Sequence, residues 1–182
     1  MKALIIIAEK FEDSQLLVPL YWLQEEGIKV DIAARSKGII RGLRGYEVEA
    51  CKTIDEIRPD DYSLLMLTGG KIKRAITART LAVTRYFARK NKVVAAACEG
   101  IQALISAGVL RSRRAAYHRS IILTEIFGAG VLFEDRNVVV DGRIVTCRQT
   151  ADLPIFSRAM IDLIEREKWY HTLEDVLAPC MN

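Results

Sequence analysis

Residues 93–100 read Val93-Val94-Ala95-Ala96-Ala97-Cys98-Glu99-Gly100, five apolar residues that run straight into a thiol, an acid and a glycine. A short apolar run without alternation, rich in small and β-branched residues, reads as a strand covered on both faces. The residues that follow, about 101–107, carry helical spacing and close at Gly108. The chain therefore turns from strand to helix almost at once. Small residues permit that turn, and a side chain at its apex stands above the sheet.

The same strand-then-helix alternation extends outward in both directions. Residues 3–8 form an apolar run. A helix is expected from Asp13 to Glu26, with Leu16, Leu17, Leu20 and Leu23 on its face and Gly27 as its stop. Residues 28–34 read as a second strand, and Gly38 to Ala50, with Gly42 and Gly45, as a β-hairpin excursion. Leu64-Leu65-Met66-Leu67 is a third buried strand ending in Gly69-Gly70, and a basic helix is expected over about 73–90. Residues 131–133 and 137–140 look like strands, Asp141-Gly142 signals a turn, and Ile144-Val145-Thr146 continues the sheet. An amphipathic helix over about 151–167 follows. Apolar strands separated by helices mean an α/β domain, residues 1–167, with a mostly parallel sheet covered on both faces. Residues 168–182, with Trp169, Tyr170, Leu173, Val176 and Leu177, read as an extension that packs on the body or on a neighbouring subunit.

Composition narrows the function. The 182 residues carry 27 Lys+Arg against 23 Asp+Glu, a net charge of +4, with 51% hydrophobic and 27% charged residues. This is the balance of a globular domain, not of a disordered or collagen-like chain. Four cysteines (Cys51, Cys98, Cys147, Cys180) are far apart and only two histidines are present. Neither a disulfide framework nor a metal site is expected, and free thiols in the cytoplasm are. The apolar start is too short for a signal-peptide core or a membrane span before Glu9 and Lys10. The basic clusters at 71–74 and 111–114 are short and lack interleaved aromatics, so they read as solvated faces and no nucleic-acid partner is expected. No G-x-G-x-x-G or G-x-x-x-x-G-K-[ST] is present, and three carboxylates crowd the first loop, so no phosphate cofactor is expected.

In open parallel sheets, ligands bind beyond the carboxyl ends of the strands. Those ends are Glu9 to Asp13, Thr68-Gly69-Gly70, Cys98-Glu99-Gly100 and Cys147-Arg148. At Cys98 the following helix N-terminus favours thiolate, and nearby amides, including those of Gly69 and Gly70, are candidate oxyanion donors. By position alone, a small buried hydrophobe fits Cys98 equally well.

Phe11-Glu12-Asp13, Thr68-Gly69-Gly70, Ala97-Cys98-Glu99-Gly100 and Thr146-Cys147-Arg148, with Ala151-Asp152-Leu153-Pro154 behind them, resemble the PfpI family of intracellular proteases. Its superfamily includes the parkinsonism-associated protein and the reported deglycases and glyoxalases. The likeness runs in order over about residues 2–166. It implies a flavodoxin-like three-layer sandwich of the class I glutamine amidotransferase type, and dimers that can build into hexamers. It also implies Cys98 as nucleophile and Glu12 as a protonated carboxyl bonded to its sulfur. The Gly69, Gly70 and Glu99 amides would form the oxyanion pocket, and Arg148 would line it. His118 falls in a region that faces the cysteine, as a candidate base or an ordinary surface histidine. His171 reads as structural or exposed.

The departures are concentrated around the cysteine. Glu99 stands where the family usually has histidine, Ile101 replaces a proline, and Gln149-Thr150 replaces glycine-proline. Lys71-Ile72-Lys73-Arg74 is basic where acidic and proline residues are usual. The resemblance thus implies a cysteine hydrolase, or a glyoxalase or deglycase for small carbonyl adducts. The alternatives are a non-enzymatic stress protein whose Cys98 is oxidised, and a scaffold without catalysis. Cys147 is open to a resolving-thiol role, although a cysteine filling a serine-sized slot is the preferred reading.

Overall fold

A computed structural model describes residues 1–116 and 128–177, with side chains described as far as Arg166. The apolar run around Leu4 forms strand β1 (Lys2–Ile6) at the heart of a seven-stranded sheet. On one side of it lie β2 (Lys29–Ala34) and then β5 (Lys52–Thr53). On the other lie β6 (Leu64–Leu67), β7 (Val93–Ala97), β11 (Ile144–Cys147) and β10 (Val138–Asp141). All neighbours are parallel except β10 and β11, which pair antiparallel across the Asp141-Gly142 turn.

Alternation along each strand splits the core into two layers. Ala3 and Ile5 of β1, with Ala95 and Ala97 of β7, pack under α1 (Asp13–Glu25) and α4 (Leu153–Leu177) through Leu16, Leu20, Leu23, Phe156 and Met160. Leu4, Ile6, Val94 and Ala96 face α2 (Ala78–Arg89) and α3 (Ile101–Ala107) through Val83, Phe87, Ala103 and Leu104. The result is the three-layer, mostly parallel sandwich of the flavodoxin-like class. The excursion is a hairpin of β3 (Gly38–Arg41) and β4 (Glu47–Ala50), with Ile40 opposite Val48.

Three boundaries differ from those read in the sequence. The basic helix does not begin near residue 73: Ile72–Ala75 make one tight 3₁₀ turn, and α2 starts after Thr77. The Thr77 side chain accepts from the Thr80 amide and so caps the helix there. The segment near 131 forms β9 (Leu132–Glu134), which stays off the main sheet and pairs in parallel with a short basic strand, β8 (Arg114–Ala116), that no periodicity announces. The last helix does not end at 167 but continues unbroken to Leu177, so most of the extension is part of α4. Among the described residues, no helix is long and apolar enough to cross a membrane.

Candidate functional site

The elbow after β7 is formed by a left-handed residue. Cys98 has φ +48°, which costs an L-residue with a side chain roughly 1–3 kcal/mol. Simple strand alternation would send residue 98 to the face opposite Ala97. The positive φ turns it back, so Cys98 lies in the same core layer as Ala97 and Cys147, 2% exposed. Gly100 lets the turn sit close on β6, because a Cβ there would be driven into the Leu67 carbonyl oxygen.

Two loops meet beside the elbow. Phe11, on the loop after β1, bridges to Gly70 after β6, and the Lys71 amide donates to the Lys10 carbonyl at 3.0 Å. Gly70 has φ +77°, and a Cβ on it would lie 2.5 Å from the Lys10 carbonyl oxygen, so only glycine fits this crossing. Glu12 is the N-cap of α1: its carboxylate accepts from the Gln15 amide at 3.2 Å and from the Ser14 hydroxyl, and Arg44 Nε lies 3.5 Å away. Those are its hydrogen-bond partners among the described residues, and its charge bears on Cys98 through space. Asp13, buried beside it, accepts from the Arg44 amide at 3.0 Å and the Tyr46 amide at 2.9 Å, which ties the hairpin to the start of α1.

The two glycine amides read as oxyanion donors already have partners. The Gly69 amide donates to Gln15 Oε1 at 2.6 Å, and the Gly70 amide donates to Glu99 Oε2 at 3.2 Å. Gln15, 2% exposed, is a residue that the sequence reading missed. Its signal was present: it lies three positions after Glu12, so the two share one face of the first turn of α1.

The Cys98 thiol is pushed strongly upward from its ordinary value. The largest cause is its hydrogen bond with Cys147, followed by burial and by the charges of Cys147, Glu99 and Glu12. The pair therefore holds on to a proton, and Cys98 rests as a thiol. Arg148, one residue beyond Cys147, is engaged at the sheet edge: its guanidinium pairs with Asp135 at 2.5 Å and donates to Asn137 Oδ1 at 2.8 Å. His118 lies outside the described residues, and His171 falls in the C-terminal part of α4. Cys51, Cys98 and Cys147 are free thiols. Among the described residues, no group of three His, Cys, Asp or Glu side chains is placed to hold a metal ion.

Comparison with known proteins places the chain in a family. The model of the DJ-1/PfpI family matches residues 1–163. The chain is 38% identical over 167 residues to the deglycase PfpI of Pyrococcus furiosus, covering 91% of this chain and 100% of that one. It is 34% identical over 168 residues to protein/nucleic acid deglycase 2 of Escherichia coli, covering 90% and 97%. The crystal structure of a ThiJ/PfpI domain protein from Brachyspira murdochii superposes with a TM-score of 0.86 over 91% of this chain and 96% of that one, at 18% identity. The strand order, the strained cysteine after β7 and the glycine pair beside it thus occur in a chain that belongs to the DJ-1/PfpI family.

Proposed function

We propose that this protein is a cysteine-dependent enzyme of the deglycase or glyoxalase class, in which Cys98 attacks a small carbonyl adduct. The observation that carries the reading is the strained Cys98 on its elbow, beside the crossing of the loops at Phe11 and Gly70. Strain kept at one residue of a packed strand end is characteristic of sites where a side chain must be aimed. The names of the Pyrococcus and Escherichia relatives agree with that chemistry.

In the proposed step, the Cys98 sulfur adds to the carbonyl carbon and the π pair moves to the carbonyl oxygen. Because Cys98 rests as a thiol, its proton passes in the same step to a carboxylate, Glu12 or Glu99. The oxyanion is taken up by the Gly69 and Gly70 amides as the Gln15 and Glu99 oxygens give way. The enzyme is proposed to work in the cytoplasm as a homodimer or a hexamer built from dimers. Exposed Tyr21, Ile39, Leu43 and Tyr46 are the apolar side chains that such an interface would cover.

The test follows loss of the methylglyoxal adduct of N-acetylcysteine with the native protein and with Cys98→Ala. The expected result is turnover that falls about 10³-fold or more in the variant. Equal rates for the two proteins would overturn the reading. A second reading, oxidation of Cys98 without turnover, is favoured by Glu99 standing where the family usually has histidine and filling the Gly70 amide. Its mark is oxygen added at Cys98 under mild peroxide by a protein that turns over no adduct.

A further inference from the structure

Cys147 is a nucleophilic side chain set against Cys98 that the proposed carbonyl chemistry leaves without a role. Its position is fixed by the sheet. In the parallel register of β7 and β11, Cys147 lies opposite Ala97. Neighbouring strands are roughly 4.8 Å apart, and the next Cα along the chain is about 3.8 Å further on. Those two steps taken at right angles put the Cα atoms of Cys98 and Cys147 about 6 Å apart, inside the roughly 4.4–6.8 Å that a disulfide spans. The left-handed backbone at Cys98 turns its side chain into the core layer that also holds Cys147. Both residues are 2% exposed, so the pair is shielded from bulky thiols. Cys51 is no competitor: its thiol hydrogen-bonds the Ile32 carbonyl on β2, and β6 and β1 stand between β2 and β7.

We propose that Cys98 and Cys147 are an internal redox pair that a hydroperoxide closes reversibly into a disulfide, withdrawing the Cys98 sulfur from attack on carbonyls. The withdrawal rests on the function proposed above, whereas the disulfide does not. With hydrogen peroxide, one sulfur of the pair loses its proton and attacks a peroxide oxygen. The S–O bond forms, the O–O bond breaks, and the departing hydroxide takes the proton as water. The other sulfur then attacks the sulfenic sulfur. The S–S bond forms, the S–O bond breaks, and hydroxide leaves with the second thiol proton as a second water. Two thiols lose two electrons in all, and one peroxide becomes two waters.

The test treats the full chain with stoichiometric hydrogen peroxide, blocks remaining thiols with iodoacetamide, and maps a non-reduced digest by mass spectrometry. The expected result is a peptide pair joined through Cys98 and Cys147, two hydrogens lighter than the reduced pair and released by dithiothreitol. Cys147→Ser under the same treatment is expected to carry oxygen on Cys98 that dithiothreitol removes only in part. Cys98 oxygenated with Cys147 alkylated in the native protein would overturn the proposal, as would linkage of either residue to Cys51 or Cys180. Adduct turnover is measured on the same oxidised and re-reduced samples. Turnover that persists in fully linked protein overturns the withdrawal. A linked protein whose reduced form never turns over adduct overturns the carbonyl reading and leaves the redox pair standing.

Discussion

The Glu99 carboxylate accepts a hydrogen bond from the Gly70 amide at 3.2 Å, from one residue after the candidate nucleophile to the loop across the site. An amide N–H beside a nucleophile is a ready donor to an oxyanion, and here the protein's own carboxylate occupies it. The same carboxylate opposes ionisation of Cys98. One side chain thus acts on both halves of the proposed chemistry, on the sulfur by its charge and on the donor by occupying it.

Replacing Glu99 with alanine is expected to free the Gly70 amide and to lower the pH midpoint of Cys98 alkylation relative to the native protein. Iodoacetamide rates against pH, with the modified peptide assigned by mass, read the shift. A midpoint that does not move would mean that the carboxylate has no hold on the sulfur. Glu99→His replaces that carboxylate with an imidazole able to take the thiol proton and is expected to raise adduct turnover by about 10²-fold.

In the native protein, Cys98 is expected to alkylate slowly, with a midpoint above the ordinary thiol value of about 8.5. The same upward displacement makes folding pH-dependent. Above about pH 8.5 the unfolded chain releases the Cys98 proton while the folded protein retains it, so the folded state binds more protons and stability falls as pH rises. Stability from this thiol is fully present at neutral pH. Urea midpoints at pH 7 and pH 9.5 are expected to differ more in the native protein than in Cys98→Ala, and equal differences would remove the link.

Gln15 holds the Gly69 amide in a buried position at 2.6 Å. Gln15→Leu leaves that amide without its acceptor and is expected to destabilise the protein by about 1–3 kcal/mol. Gln15→Glu keeps an acceptor at the same reach and is expected to restore most of the loss near neutral pH. Urea denaturation of the three proteins measures it, and a Leu variant as stable as the native protein would show that another group satisfies the amide.

Gly100→Ala drives a methyl group into the Leu67 carbonyl oxygen, which belongs to β6 and cannot swing aside as a side chain can. A cost of about 1–3 kcal/mol is expected, together with faster Cys98 alkylation as the elbow lifts from the strand. Thermal unfolding and the alkylation rate are the two readouts. A stable variant with an unchanged rate would mean that the elbow is less tightly seated than this contact requires.

The sheet was legible because burial on both faces leaves a plain mark. Leu64-Leu65-Met66-Leu67 and Val93-Val94-Ala95-Ala96-Ala97 have no polar alternation, and each became a central strand with its expected bounds. The elbow was legible for a similar local reason, since small residues before Cys98 and Gly100 after it announce a tight turn. Edges were harder to read. β8 is a three-residue strand, Arg114–Ala116, paired only to β9, and its exposed charged residue carries no period. The start of α2 depended on Thr77 capping, a local hydrogen bond that competes with the helical pattern around it.

The sequence by itself determined the α/β class, the family and the places where strands end in candidate site residues, because apolar periodicity and local turn chemistry act between near neighbours in the chain. Only the tertiary structure decided what meets at those ends. Gln15 reaches Gly69 across 54 positions, Glu99 reaches Gly70 across 29, and Cys147 meets Cys98 because β11 lies beside β7 in one register. A strand's neighbour is set by the order of the whole sheet and by the hand of its crossovers. Cys147 therefore reads in the sequence as a small residue in a serine-sized slot, and in the fold it shares a core layer with the candidate nucleophile on the adjacent strand.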